Sequence, residues 1–165
     1  MKVLISGFSP YGAFSDNITQ KIIQRLKVRK NTEKIIFPVE FNESIFRDAI
    51  QKYKPNFFLA LGQHPRARKI RIERKAVNLR RFHKDQKPVA IDTKGPRYRF
   101  LNWKLTSDRE TRISYNAGMY VCNFCIYVVS GLQQTENFKF ALLHIPRSGD
   151  IQKMVKFVES RLDKI

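Results

Sequence analysis

The sequence predicts an α/β protein, a sandwich of helices around a mostly parallel central sheet. Three observations favour this class. Short apolar runs alternate along the chain with segments whose apolar residues recur at helical spacing. Several of the strand-like runs are continuous rather than alternating, which is typical of strands buried on both faces of a sheet. The length of 165 residues suits one domain, residues 1–165, with a core of its own.

The first predicted strand covers residues 2–6, where the apolar run KVLIS stops at the glycine- and proline-containing turn GFSPYGA. A helix is expected near residues 17–27, because three isoleucines and a leucine recur there on one helical face. Asn17 or Asp16 would cap its first turn, since both side chains accept hydrogen bonds from backbone N–H groups. The chain is therefore expected to open with a strand, a turn and a helix.

The next part of the chain predicts three strands and one helix. KIIFPV (34–39) is a short apolar run, and ESIFRDAIQKY (43–53) has the spacing of an amphipathic helix that Pro55 ends. NFFLALG (56–62) is continuously apolar and predicts a strand buried on both faces. RKIRI (68–72) alternates, which predicts a half-buried strand.

Residues 79–112 are polar, basic and weakly patterned, so we expect a long irregular segment with one extended piece in RYRFLNW. TRISY (111–115) and FKFALLHI (138–145) predict two more strands, separated by a helix that begins near Cys122. DIQKMVKFVESRL (150–162) predicts the closing helix. In sheets of this kind, the loops at the carboxyl ends of the strands gather the functional groups.

The chain is strongly basic. Its 32 Lys and Arg residues against 14 Asp and Glu give a net charge of +18, with a pI of about 10.3. A field of this size attracts polyanions whether or not that is the function. Basic residues also lie among the aromatic side chains of Phe82, Tyr98, Phe100 and Trp103, a composition that suits stacking on nucleic-acid bases.

Three side chains suggest a catalytic set. Cys122 lies where the small-residue turn YNAGMY runs into an apolar segment, and His144 follows the apolar run FALL. A helix start and a nearby imidazole both favour the thiolate, which is the nucleophilic form of a cysteine. Glu73, just after an alternating stretch, could orient the imidazole.

Each of these residues also has a simpler interpretation. A cysteine on an apolar helix is more often a core residue, His144 could be structural, and Glu73 among basic neighbours could be a paired surface charge. Cys125 is expected in the core, because its C-x2-C spacing has neither the surroundings of a redox motif nor a second pair of zinc ligands. His64 and His83 are expected in solvated loops.

The composition and the lengths of the apolar runs indicate the cellular compartment. No run approaches the roughly 18 apolar residues of a membrane span, and the apolar part of MKVLISGF is too short for a signal peptide. We therefore expect a cytoplasmic protein. Two cysteines make a poor disulfide framework, so free thiols in a reducing compartment are expected. The sequence suggests no cofactor and no metal site.

Four strings in order along nearly the whole chain resemble the pyroglutamyl peptidase type I family, also called pyrrolidone-carboxylate peptidases. GFSPYGAFSDNIT is similar to the family's opening motif GFxPFGGxxxNP followed by Ser or Thr. RIERKAVN resembles its glutamate motif, SYNAGMYVCN its cysteine motif and LLHIP its histidine motif. The resemblance implies a three-layer α/β sandwich and an activity that removes N-terminal pyroglutamate from peptides.

The resemblance also implies roles for individual residues. Cys122 would be the nucleophile, His144 the general base and then acid, and Glu73 the carboxylate that orients His144. Arg81 matches a family arginine only when a short gap is allowed. The residues near the substrate would be Phe8 and Tyr11 around the lactam ring, together with Asn17, Gln63 and Arg81.

The chain departs from the family at several positions. Tyr11 replaces the usual Phe, Ala13 a glycine and Ile18 a proline, and Arg147 stands where an aromatic or apolar residue usually follows the histidine motif. The stretch after LGQ reads HPRAR, which is bulkier and more charged than the family's glycine-containing segment. The segment between residues 100 and 111 is short for the helix normally found there.

Two other functions stay open. A catalytically inactive or re-specialised member could act as a basic protein that binds nucleic acid or another polyanion. Alternatively, a cysteine hydrolase of altered specificity could prefer an acidic substrate through Arg66, Arg68 and Arg147. An oligomer is compatible with either.

Overall fold

The computed structural model describes residues 1–28 and 30–165. Across these residues the chain forms eight strands and four helices. In chain order they are β1 Val3–Phe8, α1 Ile18–Arg25, β2 Thr32–Phe37, α2 Glu43–Tyr53, β3 Phe57–His64, β4 Ile70–Glu73, β5 Lys75–Val77, β6 Tyr98–Phe100, β7 Thr111–Ser114, α3 Val121–Leu132, β8 Lys139–Pro146 and α4 Ile151–Leu162.

Six of the strands form one sheet in the order β2-β1-β3-β8-β4-β7. Neighbouring strands are parallel from β2 through β8, and β4 and β7 are parallel to each other. β4 runs antiparallel to β8, so the last two strands of the order are reversed. The expected mostly parallel central sheet is confirmed.

Helices cover both faces of the sheet. Apolar side chains of α2 and α3 pack on one face, and those of α1 and α4 pack on the other. β1 is buried along its whole length, as are β3 between its ends and β8 after its first residue, because helices lie above and below them. Each fully buried aliphatic or Phe side chain contributes roughly 1.5–3 kcal/mol. The predicted three-layer sandwich is confirmed.

The helix boundaries follow from local chemistry. Of the two predicted caps for α1, Asn17 is the one used, because its side chain accepts the backbone N–H of Thr19. Asn42 caps α2 in the same way. At the other end of α2, Lys54 adopts a left-handed conformation with φ 45° just before Pro55, which cannot continue a helix. The bounds of α2 match the predicted range 43–53.

Strand boundaries differ from the predicted ones by at most two residues. β2 covers Thr32–Phe37 rather than 34–39, since Pro38 has no N–H to continue the ladder. β3 and β8 run on together to His64 and Pro146, because each pairs with the other to its end. These extensions carry both strands past the predicted ends and into the candidate site.

A small second sheet was not predicted as such. β5 pairs antiparallel with β6, which lies in the extended piece RYRFLNW. The loop between them is held by Asn78, whose side chain accepts the N–H groups of Ile91 and Asp92 and donates to the carbonyls of Asp92 and Gly95. The weakly patterned segment is therefore ordered by side-chain amides rather than by apolar periodicity.

Candidate active site

The predicted imidazole and carboxylate meet inside the sheet. Across the antiparallel ladder Arg71 pairs with His144 and Ile72 with Leu143, so Glu73 lies diagonal to His144 on the same face. Glu73 Oε1 is 2.8 Å from His144 Nδ1. The exposed fraction is 1% for Glu73 and 4% for His144. The pair is thus shielded from solvent, and the alternative interpretation of Glu73 as a paired surface charge was wrong.

Glu73 has one oxygen committed to this contact. Its Oε2 is buried and has no hydrogen-bond partner among the described residues. Because water does not reach the carboxylate, its charge acts on the imidazole without solvent screening.

The predicted nucleophile lies in the first turn of α3. Cys122 is the second residue of the helix and is partly buried, and the N-cap residue Tyr120 makes no side-chain capping bond. The N–H groups of the first turn therefore have no side-chain acceptor and can bind a developing negative charge. Cys125 lies one turn further on and is wholly buried, which raises the pKa of its thiol well above the ordinary value.

Gly62 brings the helix and the sheet together, and the sequence analysis did not single it out. A Cβ at this position would lie 2.5 Å from Cys122 Sγ and 3.3 Å from His144 Nε2. The thiol and the imidazole therefore both reach the backbone of β3, where only glycine leaves room for them. A glycine inside the otherwise bulky strand FFLALG was the available signal.

The electrostatics of the site hold a proton on His144. Burial alone would lower its pKa, but the Cys122 thiolate and the Glu73 carboxylate outweigh that effect and raise it to about 10. Nδ1 faces Glu73 and Nε2 faces the thiol side. The His144 ring therefore lies between the Glu73 carboxylate and the Cys122 sulfur, and contacts with both favour its protonated form.

His64 is also part of this site, and the expectation of a solvated loop was wrong. It is the last residue of β3, half-buried, with its ring 5.3 Å from that of His144 at 86°. Its Nδ1 accepts the backbone N–H of Arg66. Burial and the nearby His144 charge lower the pKa of His64 to about 4, so this ring is neutral at pH 7.

The two aromatic residues expected around the lactam ring lie in different surroundings. Phe8 ends β1 and packs in the core, with its ring 6.2 Å from that of Phe37. Tyr11 lies in the following loop, partly exposed, with its ring 5.2 Å from that of Phe14. Burial raises the pKa of the Tyr11 phenol, the Gln63 amide lowers it and the Cys122 charge raises it further. Tyr11 is thus close to the thiol, whereas Phe8 lies beneath the loop.

Asn17 and Gln63 hold the opening loop against the sheet. The Asn17 side chain accepts from Thr19, and its amide donates to the carbonyl of Ser9. Gln63 Oε1 accepts the N–H of Ile18 at 2.9 Å. Gln63 Nε2 is buried without a hydrogen-bond partner among the described residues, so one donor of this side chain remains available.

Arg81 approaches the site through its backbone. Its N–H donates to the carbonyl of Met119, which directly precedes the N-cap of α3. Its guanidinium donates instead to the carbonyl of Lys84, within its own loop. The segment containing Arg81 therefore supports the helix start, while its charge is turned toward the loop.

Asn123, next to the thiol, is a second residue that the sequence analysis missed. Its side chain accepts the N–H of Val77 and donates to the carbonyls of Val77 and Leu79. The side chain is fully buried, and it ties the first turn of α3 to the end of β5. An asparagine beside a cysteine in an apolar helix was the available signal, since a buried amide needs partners.

Neither a metal centre nor a membrane helix is found over residues 1–28 and 30–165. No group of three or more His, Cys, Asp or Glu side chains there could hold a metal ion. No helix in the same residues is long and apolar enough to cross a membrane.

Comparison with known proteins points to one family. A family model described as pyroglutamyl peptidase matches residues 1–97. The pyrrolidone-carboxylate peptidase of Lactobacillus johnsonii is 29% identical, over 88% of this chain and 78% of the relative. That of Lactobacillus acidophilus is 30% identical, over 88% of this chain and 84% of the relative.

Solved structures share the fold. A mutant pyrrolidone carboxyl peptidase from Pyrococcus furiosus superimposes with a TM-score of 0.85 at 20% identity, covering 99% of this chain and 97% of that one. The pyrrolidone carboxyl peptidase of Thermococcus litoralis gives a TM-score of 0.83 at 22% identity, with coverages of 98% and 91%.

Proposed function

Because this chain belongs to the pyroglutamyl peptidase family, we propose that it is a cysteine peptidase that removes an N-terminal pyroglutamyl residue from peptides. Cys122 would be its nucleophile, His144 its acid and base, and Glu73 the group that orients His144. The observation that carries the proposal is the meeting of thiol and imidazole at Gly62, with the carboxylate on the far side of the ring.

The first half of the reaction forms an acyl-enzyme. The Cys122 thiolate attacks the carbonyl carbon of the pyroglutamyl residue, and the carbonyl electron pair moves onto oxygen. Backbone N–H groups in the first turn of α3 stabilise that oxyanion. As the C–N bond breaks, His144 Nε2 donates its proton to the leaving amine, which departs as the shortened peptide.

The second half returns the enzyme to its starting state. His144, now neutral, accepts a proton from water as the water oxygen attacks the thioester carbon. The C–S bond then breaks, pyroglutamic acid leaves, and the thiolate beside an imidazolium is restored. Glu73 stabilises the charged ring through Nδ1 in both halves, and it also fixes the ring so that Nε2 faces the thiol.

Peptides with N-terminal pyroglutamate would be the partners, and the cytoplasm the compartment. Both cysteines are free thiols, which suits a reducing environment. The relatives are peptidases by name, which favours catalysis over polyanion binding as the role of this fold.

Release of a fluorescent amine from a pyroglutamyl-amide substrate tests the proposal. Cys122→Ala should lower turnover by roughly 10⁴-fold or more, because no other group replaces the nucleophile. Cys125→Ala is the matched control, since it removes a buried thiol one helical turn away. Equal turnover by the intact protein and Cys122→Ala, or none by intact protein that circular dichroism shows to be folded, would contradict the proposal.

A further inference from the structure

A cleft of about 220 Å³ lies beside the opening loop and the end of β8. Gln63 and Arg147 line it, together with Asp16, Ile18 and Lys21. Gln63 directly follows Gly62, which contacts the thiol and the imidazole. Consecutive strand residues point to opposite faces of the sheet, so Gln63 faces the start of α1 rather than Cys122. Tyr11 lies close to Gln63, Arg147 and Cys122, and the cleft therefore opens at the same end of the sheet as the reacting groups without including them.

Gln63 supplies an unused donor to this cleft. The residue is 6% exposed, and its Oε1 is occupied by the N–H of Ile18. Its Nε2 lies near enough to lower the pKa of Tyr11 but has no partner with hydrogen-bond geometry in the described part of the chain. A buried amide N–H left without an acceptor loses free energy, which an acceptor on a ligand would recover.

Arg147 supplies a positive charge at the same place. Arg147 lies three residues after His144 in the chain, and its backbone N–H donates to the carbonyl of His64. Its guanidinium lies over the ring of Phe14, 4.5 Å from the centroid. Among the described residues it forms no ion pair; the Asp16 carboxylate, on which its charge acts from a greater distance, is paired with Lys21. A stacked guanidinium without a carboxylate partner is suited to bind one.

The pyroglutamyl group cannot be the source of that carboxylate. Its ring is a neutral lactam, and its remaining acyl group is the one joined in the scissile amide. We propose that Arg147 and Gln63 bind a carboxylate on the leaving-group side of the peptide, so that the enzyme prefers pyroglutamyl peptides carrying a negative charge close to the scissile bond. This inference rests on the proposed function.

Of the three arginines that could favour an acidic substrate, only Arg147 lines the cleft. Arg66 and Arg68 are exposed and do not line the cleft. Two sources of a carboxylate remain: an acidic side chain at the residue after pyroglutamate, or the free C-terminus of a dipeptide. Both present the same planar, two-oxygen group to a guanidinium.

Four peptides separate these sources. Pyroglutamyl-glutamate amide and pyroglutamyl-glutamine amide differ only in side-chain charge, and pyroglutamyl-alanine and its amide differ only in the C-terminal carboxylate. We expect at least one charged member to have a kcat/KM roughly fivefold or more above its neutral match, mainly through KM. The preference should shrink as salt is raised, since Arg147 is exposed.

Variants test whether Arg147 causes the preference for charged peptides. Arg147→Gln should remove the preference and leave turnover of the neutral peptides within about twofold, and Arg147→Lys should keep part of it. Arg68→Gln is the matched control, because it removes the same charge from an exposed position outside the cleft, and it should keep the full preference.

Binding to the Cys122→Ser protein, measured by calorimetry with the same peptides, keeps this test independent of turnover. Tighter binding of a charged peptide that Arg147→Gln abolishes supports the inference even where the proposed reaction fails. Equal affinities and equal kcat/KM within both pairs, or an equal loss in Arg68→Gln, overturn it while leaving the peptidase proposal intact.

Discussion

At the scale of single residues, two groups of different kinds raise the pKa of His144: the Cys122 sulfur on the Nε2 side and the Glu73 carboxylate at Nδ1. The thiolate is consumed when the acyl-enzyme forms, whereas Glu73 keeps its charge throughout the proposed cycle. The Glu73 carboxylate therefore raises the pKa of His144 at every step of the proposed cycle, which keeps the ring protonated in alkaline solution.

Replacing Glu73 with Gln should lower kcat/KM on the order of 100-fold and move the alkaline limb of the pH profile to lower pH. The sign follows from the pKa of His144. The ring must stay protonated to donate to the leaving amine, activity is lost as pH rises through about 10, and removing a negative neighbour lowers that value. Glu40→Gln, at an exposed site, is the control. An alkaline limb that does not move would contradict the assigned role.

Gly62→Ala should reduce kcat/KM by roughly 100-fold, because the new methyl group takes the space of the thiol and displaces it from the imidazole. We expect a loss of stability of about 1–3 kcal/mol from overpacking, to be measured by urea unfolding. Gly131→Ala, on the last turn of α3, is the control: a methyl group there displaces the Arg99 guanidinium from the Tyr127 carbonyl rather than the thiol, so it should lower stability without the 100-fold loss of kcat/KM. Full activity in Gly62→Ala would show that the thiol lies elsewhere during catalysis.

Residue chemistry could be predicted where it is local and not where it depends on a neighbour in space. Cys122, His144 and Glu73 were identified by residue type beside a turn or a strand end. Gly62 and His64 were missed because their importance comes from contacts with Cys122 and His144, which lie 60 and 80 residues further along the chain.

At the scale of secondary structure, α3 is fixed at its first turn by one side chain. Asn123 joins the helix to the backbone of Val77 and Leu79 through three hydrogen bonds. This contact holds the turn that carries Cys122 against the small β5-β6 sheet.

Asn123→Ala should lower the free energy of unfolding by about 2–4 kcal/mol, since it removes three hydrogen bonds and leaves buried backbone groups without partners. Chemical denaturation measures the loss, and kcat/KM should fall as well because the helix start is released. Asn137→Ala, at an exposed loop position, should change neither value. A loss below roughly 0.5 kcal/mol would mean that water replaces these bonds.

Elements with strong apolar periodicity were predicted closely, as the matching range of α2 shows. The reversed direction of β4 relative to β8 could not be predicted, because strand direction follows from how the intervening loops cross the sheet. β5 escaped prediction because three residues carry too little pattern to recognise.

For the whole molecule, the net charge of +18 attracts anions but also lowers the free energy of unfolding. Many like charges on a chain of 165 residues repel one another when it folds. The described ion pairs include only a few basic residues: Lys21, Arg47, Arg99, His144 and Arg161.

Raising the ionic strength from about 10 mM to about 150 mM should therefore stabilise the protein, because salt screens this repulsion over a shorter Debye length. Each kcal/mol gained corresponds to a rise in Tm of roughly 2–4 °C for a chain of this size. Scanning calorimetry in sodium chloride and in potassium chloride at pH 7 measures the rise. A Tm that stays constant or falls would show that the described charges already compensate one another locally.

The diagonal contact between Glu73 and His144 affects which changes in the sequence the site can tolerate. Both side chains project from neighbouring strands inside the sheet, and their spacing is set by the backbone ladder rather than by any connecting loop. Insertions and deletions in the surface segments can thus change the loops around the site while the contact between Glu73 and His144 keeps its geometry. If the proposed roles hold, substrate preference can change without any change in the distance between these two groups.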